Sequence, residues 1–329
     1  MVMAAEMAML IALLGAMHMF ASPSLAPYDE LMLPAAEPAP AELHARFFGV
    51  STILFSDDET SIMIDGFFSR PSMLELAIQR IKPDGDRIAR ALDLGDVEKV
   101  NALLVAHSHH DHVLDSARVA QIVDATIFGS SSTKRIVEGQ DLDGVRLEEV
   151  KAGARRIFGH FEIDFFESPH SPGVAPSGPI EGQFRMPARA WEFKAGESYA
   201  YRLRHPDGYV LIVPSANFLR GNFSNVCADV VFLGVGGLGK QRNEFVQEYW
   251  RETVGATGAR TVILIHWDDF TRPLDEPLRA FPYFGDDLER TIERLKALAT
   301  AEGRNIYLMP PFVPVALRPV VTAPACPRS

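Results

Sequence analysis

A chain of 329 residues, 47% of them hydrophobic, can bury a sizeable core, and a single main α/β domain of this length is ordinary. Forty-three acidic against 32 basic residues leave a net charge of −11, which repels a polyphosphate backbone, and no long basic run offsets it, so nucleic acid is not an expected partner. The two cysteines, Cys227 and Cys326, lie far apart and form no CxxC pair; on spacing they support neither a disulfide framework nor a thiolate metal site, and the redox compartment stays open.

Residues 7–21 (MAMLIALLGAMHMFA) are mostly apolar, too few for a stable membrane span, and are followed by small residues and prolines as in a secretory signal. Against export, no Lys or Arg precedes Arg46, and Glu6 sits where a positive region belongs. A signal would make the protein periplasmic or secreted; a disordered start would leave it cytoplasmic. Residues 22–41, with five prolines, read as a linker. The expected organisation is thus a signal-like or disordered segment over 1–41, a catalytic domain over 42–320 and a tail over 321–329.

From His44 the runs HARFFGV, TILFS and SIMID predict an opening β-meander. Ser72 with Glu75 forms a capping box ahead of a helix, and a second helix is expected over 86–92. The run VNALLVA at 100–106 is the pattern of a strand buried on both faces, and it ends at His107. Helical spacing follows over 114–123, then short strands to about 167, of which HFEIDFFE is the clearest. Residues 168–194 are rich in Gly and Pro and predict a long loop. Strands are expected at 199–204, 209–213, 229–233 and 261–265, with helices at 244–254 and 286–300; Asp286 and Glu289 can cap the last, and Leu288, Ile292, Leu295 and Leu298 line one face. Strands first, then alternating strands and helices, predict a sheet sandwich with helices outside. No short tandem repeat is present.

The segment His107-Ser108-His109-His110-Asp111-His112 places four ligand-type residues within six positions, directly past a buried strand. Imidazole nitrogen and carboxylate oxygen suit zinc and also serve iron or manganese, and a strand end is rigid enough to hold them.

These residues resemble the metallo-β-lactamase superfamily, whose HxHxDH signature is met in full by His107, His109, Asp111 and His112. The resemblance runs from about residue 45 to 317. Asp65 in SIMIDG matches the superfamily's structural aspartate, His170 in ESPHSPG the third histidine of a first metal site, and His266 in VILIHWDDF the last histidine of a second. It implies an αββα sandwich, with His107, His109 and His170 on one ion and Asp111, His112 and His266 on the other. The stretches DVVFLGVGG and HWDDF look most like the branch that holds ascorbate-6-phosphate lactonase and phospholipase D type enzymes acting on N-acylphosphatidylethanolamine.

One departure stands out. Most members carry a bridging aspartate after the strand corresponding to YVLIV; this chain reads Pro214-Ser215-Ala216-Asn217. Without that carboxylate two divalent cations with Asp111 and one hydroxide retain about +2 rather than about +1, which weakens the second site. Asp268 or Asp269 would compensate by ligation, and both read equally well as cap or loop residues.

The resemblance implies one or two zinc ions, or manganese or iron, activating water against an ester, lactone or phosphodiester bond of a small molecule, with Asp111 and His266 at the reacting centre. Arg185, Arg189 and Trp191 in the long loop, together with Phe67 and Asn217, are candidate substrate contacts. His110, which alternates with the ligands, is expected to face away from the site, with substrate contact the alternative, and His160 and His205 to be structural or solvated. Two other readings stay open: a metal-binding homologue that has lost hydrolysis, and mononuclear iron redox chemistry. The oligomeric state is not readable.

Overall fold

Consecutive rather than alternate apolar residues mark strands covered on both faces, and the central strands of the computed structural model are of that kind. The structure describes residues 17–35, 38–173 and 175–318, with positions 6, 7, 9, 13, 15, 320, 325 and 326. Much of the expected signal-like stretch and of the tail lies outside the described residues, among which no helix is long and apolar enough to cross a membrane.

With strands numbered in chain order, the first sheet runs in space through β14 (Pro314–Ala316), β1 (His44–Phe47), β2 (Ile53–Ser56), β3 (Ser61–Ile64), β4 (Ala102–Leu104), β5 (Thr126–Gly129) and β6 (Arg146–Glu149). The second runs through β13 (Asn305–Tyr307), β12 (Thr261–Ile265), β11 (Val230–Gly234), β10 (Gly208–Val213), β9 (Tyr199–His205), β8 (Phe161–Glu167) and β7 (Arg155–Phe158). In each sheet antiparallel pairings on one side give way to parallel ones on the other, from β3 onward in the first and from β10 onward in the second. The parallel halves bring strand carboxyl ends to a common edge, the usual place for a ligand site in such sheets. Asp65, His107 and His266 follow β3, β4 and β12 there.

Alternation sorts the core into two. Ile62, Ile64, Ala102 and Leu104 face the second sheet, where Phe55 meets Phe232 edge-on at 5.1 Å; Met63 and Leu103 face the outer helices. Those helices are α1 (Met73–Ile78), α2 (Gly85–Leu94), α3 (His110–Val113), α4 (Ser116–Ile122) and α5 (Ser131–Glu138). The capping box of Ser72 and Glu75 is present at α1, and α2 buries Ile88, Ala91 and Leu92. Helices α6 (Asn243–Trp250), continued by a π-helical turn at Arg251–Gly255, and α7 (Leu288–Ala301) cover the second sheet, completing an αββα sandwich.

Helix α5 stands where short strands are expected; Ser130 caps it by accepting from the Thr133 N–H, and its apolar face is only Ile136 and Val137, too few to announce a helix. The cap of α7 is Asp287, which accepts from the Arg290 N–H, while Asp286 accepts instead from the Gly237, Gly239 and Asp287 N–H groups. The cysteine reading is also corrected: Cys227 and Cys326 form a disulfide. The chain end reaches β11 because the Asp229 carboxylate accepts the Ala325 and Cys326 N–H groups, a meeting that spacing in sequence does not encode.

Candidate metal centre

Asp65, at the end of β3, takes a left-handed backbone and ties three stretches of chain together. One carboxylate oxygen accepts the Ala106 N–H (2.7 Å), fixing the strand end just before His107; the other accepts from His112 Nδ1 (2.7 Å) and from the Ser51 hydroxyl. Because Nδ1 is committed to Asp65, the free nitrogen of His112 is Nε2, which is buried without a hydrogen-bond partner and lies 3.8 Å from Asp111 Oδ2.

His107, His109 and His170 form a first group, their nitrogens about as far apart as ligands on one tetrahedral cation. His107 Nε2 and His170 Nε2 each stand 3.1 Å from His109 Nδ1. The opposite nitrogens have oxygen partners: His109 Nε2 donates to the Pro176 carbonyl (2.7 Å) and His170 Nδ1 to the Ser171 carbonyl (2.8 Å), leaving the converging nitrogens as lone pairs. Asp111, His112 and His266 form a second group, with His266 Nε2 at 3.5 Å from Asp111 Oδ2. The His107 and His112 rings, 3.8 Å apart at their centroids, join the two. A buried acceptor with no partner on His112, beside His109 and His170 whose N–H groups are already occupied, fits one or two cations.

Burial, then neighbouring imidazoles, holds His107 well below the usual histidine range; burial also lowers His109 and brings His170 down to about 3. Burial opposes ionisation of Asp111, yet His112 and His266 outweigh it and keep the carboxyl well below its ordinary value. His112 runs the other way: burial lowers it, and Asp65 and Asp111 together raise it.

Residues 45–187 match the sequence model of the metallo-β-lactamase superfamily. The structure is similar to Igni18, a metallo hydrolase of the archaeon Ignicoccus hospitalis, at TM-score 0.54 and 14% identity, over 83% of this chain and 97% of that one. The fold is that of the metallo-β-lactamases. A Veillonella parvula protein described as a possible metal-dependent hydrolase superposes at TM-score 0.52 and 13% identity, over 84% of this chain and all of its own. A metal-dependent hydrolase of Heliobacterium modesticaldum is 24% identical over 132 residues, 40% of this chain and 47% of that relative. The chain spans about half the length of the curated relatives it matches.

In this metallo-β-lactamase fold both groups open on a cavity of about 660 Å³ lined by His109, Asp111, His170 and His266. The long loop overhangs it with Pro172, Pro176, Trp191 and Phe193; Phe270 forms the facing wall, and Lys240 and Gln241 supply a polar side. Among the candidate substrate contacts only Trp191 lines this cavity. Phe67 is fully buried core, Arg185 donates to Gln183, Arg189 stacks on Trp191 and donates to the Ile78 carbonyl, and Asn217 donates to the His170 carbonyl. His110 takes the alternative of the two expected for it: it lines the cavity as the first residue of α3, edge-on to Phe193 and Phe270. Phe270, Lys240 and Gln241 carry no local signal; they arrive from loops that folding alone brings together.

At the missing bridging position Ala216 donates its N–H to Ser171 Oγ, so this stretch holds the His170 segment and offers no carboxylate. Neither candidate replacement ligates. Asp268 pairs with Arg70, and Asp269 caps Thr271. At the opposite end of the strands His160 and His205 meet Asp57, at 2.9 and 3.4 Å. His205 Nδ1 accepts the Asp207 N–H, so its Nε2 carries the proton toward Asp57, which makes this a hydrogen-bonded network and not a cation cradle.

Proposed function

We propose that the protein is a metal-dependent hydrolase that directs an activated water at an ester, lactone or phosphodiester bond of a small molecule. The observation that carries this reading is the gathering of His107, His109 and His170 and of Asp111, His112 and His266 into two adjacent groups that open on one cavity through His109, Asp111, His170 and His266, with His109, His112 and His170 each keeping one ring nitrogen free of an oxygen partner. An ion bound there, zinc, manganese or iron by ligand type, supplies Lewis acidity that makes water nucleophilic near neutral pH.

Asp111 remains ionised at neutral pH and is placed to orient the attacking water or take its proton. His266, 3.5 Å away, orients that carboxylate. Trp191, Phe193 and Phe270 give the apolar part of a substrate a wall and displace water from it, and Lys240, the sole lysine or arginine among the lining residues, suits an anionic group. Metal quantification on purified protein, paired with a panel of ester, lactone, phosphodiester and amide substrates, tests this reading. Zinc or manganese with turnover supports it, and His109→Ala then removes both metal and activity. Iron with oxygen consumption, or bound metal with no turnover, overturns it.

A further inference from the structure

The β1–β2 turn reaches both halves of the second group. Ser51 Oγ contacts Asp65 and stands 3.0 Å from His112 Nδ1, while the Val50 carbonyl accepts the His266 N–H at 2.6 Å. Both Val50 (φ 52°) and His266 (φ 59°) adopt left-handed backbone, which a branched or bulky side chain occupies only where its surroundings compel it. What compels it is Asp268: its Oδ1 accepts the Val50 N–H at 2.6 Å, so the turn and the end of β12 hold each other from both sides. Asp268 Oδ2 in turn pairs with Arg70 Nη2 at 2.7 Å, with both side chains wholly buried. The guanidinium also donates to the Phe48 and Asp269 carbonyls, on the two segments being clamped. Gly49 (φ 93°) completes the fit, since a Cβ there would overlap the Arg70 guanidinium and stand 2.6 Å from Asp268 Oδ2.

Two charges buried together are costly and are seldom kept for stability alone. Here they sit one contact behind a ligand set that lacks a bridging carboxylate to hold it. We infer that the Arg70–Asp268 pair, acting through Val50 and Ser51 of the β1–β2 turn, is the positioning device of the second cation site, holding His266 and His112 in ligating geometry where the fold's bridging acid is absent. Asp268 is thus a positioning residue and not a ligand. The inference rests on the metal-dependent reading above.

Cobalt(II) titration of the full chain tests it, followed by visible d–d absorption and by metal equivalents retained after gel filtration. The wild-type chain is expected to take up two equivalents. Asp268→Asn and Ser51→Ala should each weaken the second by roughly ten- to a hundredfold, as losses behind a ligand do, and leave the first within about twofold. Ser51→Ala removes a single hydroxyl and keeps the test open should Asp268→Asn fold poorly. An unchanged second equivalent in Ser51→Ala, equal weakening of both equivalents, or a wild-type chain that takes only one ion overturns the inference while leaving a one-metal hydrolase standing. Absence of any cobalt uptake sinks the metal-dependent reading itself.

Discussion

The two candidate ligand groups share a cavity but are built on opposite plans. His107, His109 and His170 are braced locally: the hydrogen bonds of His109 and His170 go to carbonyls of the same overhanging loop, at Pro176 and Ser171. Asp111, His112 and His266 are braced at long range, through Asp65, Ser51 and Val50 to a wholly buried ion pair. A set braced by one loop follows that loop, whereas a set braced by the core can fail only with part of the core. The first group therefore suits the site that must admit substrate, and the second the site that must keep its shape.

Removing one imidazole from the first group is the most severe test of this contrast. His109→Ala should cut turnover by about three orders of magnitude or more, since an ion worth several kcal/mol to the transition state loses its anchor, while the melting temperature of the metal-free protein changes little. Rate and thermal-melt measurements on the same preparation check it. Breaking the brace of the second group should do the reverse: Arg70→Met leaves the Asp268 carboxylate buried without its counter-charge, costing about 3–5 kcal/mol of stability, and Arg70→Met with Asp268→Leu recovers only part of that loss, since the Val50 N–H then lacks its acceptor. Urea denaturation of the metal-free variants measures both.

The histidines of the first group and His112 of the second also respond to pH with opposite sign. His107, His109 and His170 are depressed in the folded state, so the unfolded chain binds more protons than the folded one below about 6.5; their contribution is fully present above that pH and is lost as pH falls toward 3, where His170 itself titrates. His112 is raised, so its contribution is fully present below about 6.5 and is lost as pH rises through its folded value. Metal-free protein should lose stability between pH 7 and 5, and His170→Asn should flatten that slope; an unchanged slope in the variant would break the comparison. The smallest effect is expected at the wall. Trp191→Ala should raise KM several-fold for substrates with an apolar group and leave kcat near its original value, as removal of uniform binding does.

The parts of this molecule legible in its sequence are those whose cause is local. VNALLVA announced a strand covered on both faces, and the spacing from His107 to His112 announced a cluster of ligand-type side chains, because the strand end and the short helix α3 directly after it present all four within six positions. Ser72 and Glu75 announced a capped helix for the same reason. Arg70 and Asp268 were illegible as a pair, since nearly two hundred residues separate them and neither stands in a pattern, and Asp268 read equally well as a ligand or a loop residue. The cavity wall was half legible: the long loop was expected to supply substrate contacts, but which of its side chains turn inward depends on how Arg189 and Phe184 pin it, Arg189 on Trp191 and Phe184 against Phe193 at 5.0 Å.

The bond between Cys227 and Cys326, 99 positions apart, makes the last third of the chain a covalent ring. Inside it lie β11, β12 and α7, and with them both His266 and Asp268. One partner of the ion pair is thus on the ring and the other, Arg70, outside it. Closing a ring of this size removes about 4.7 kcal/mol of unfolded-chain entropy in the simplest account, so reducing the bond should lower the stability of the whole fold, the ring that carries the last histidine included.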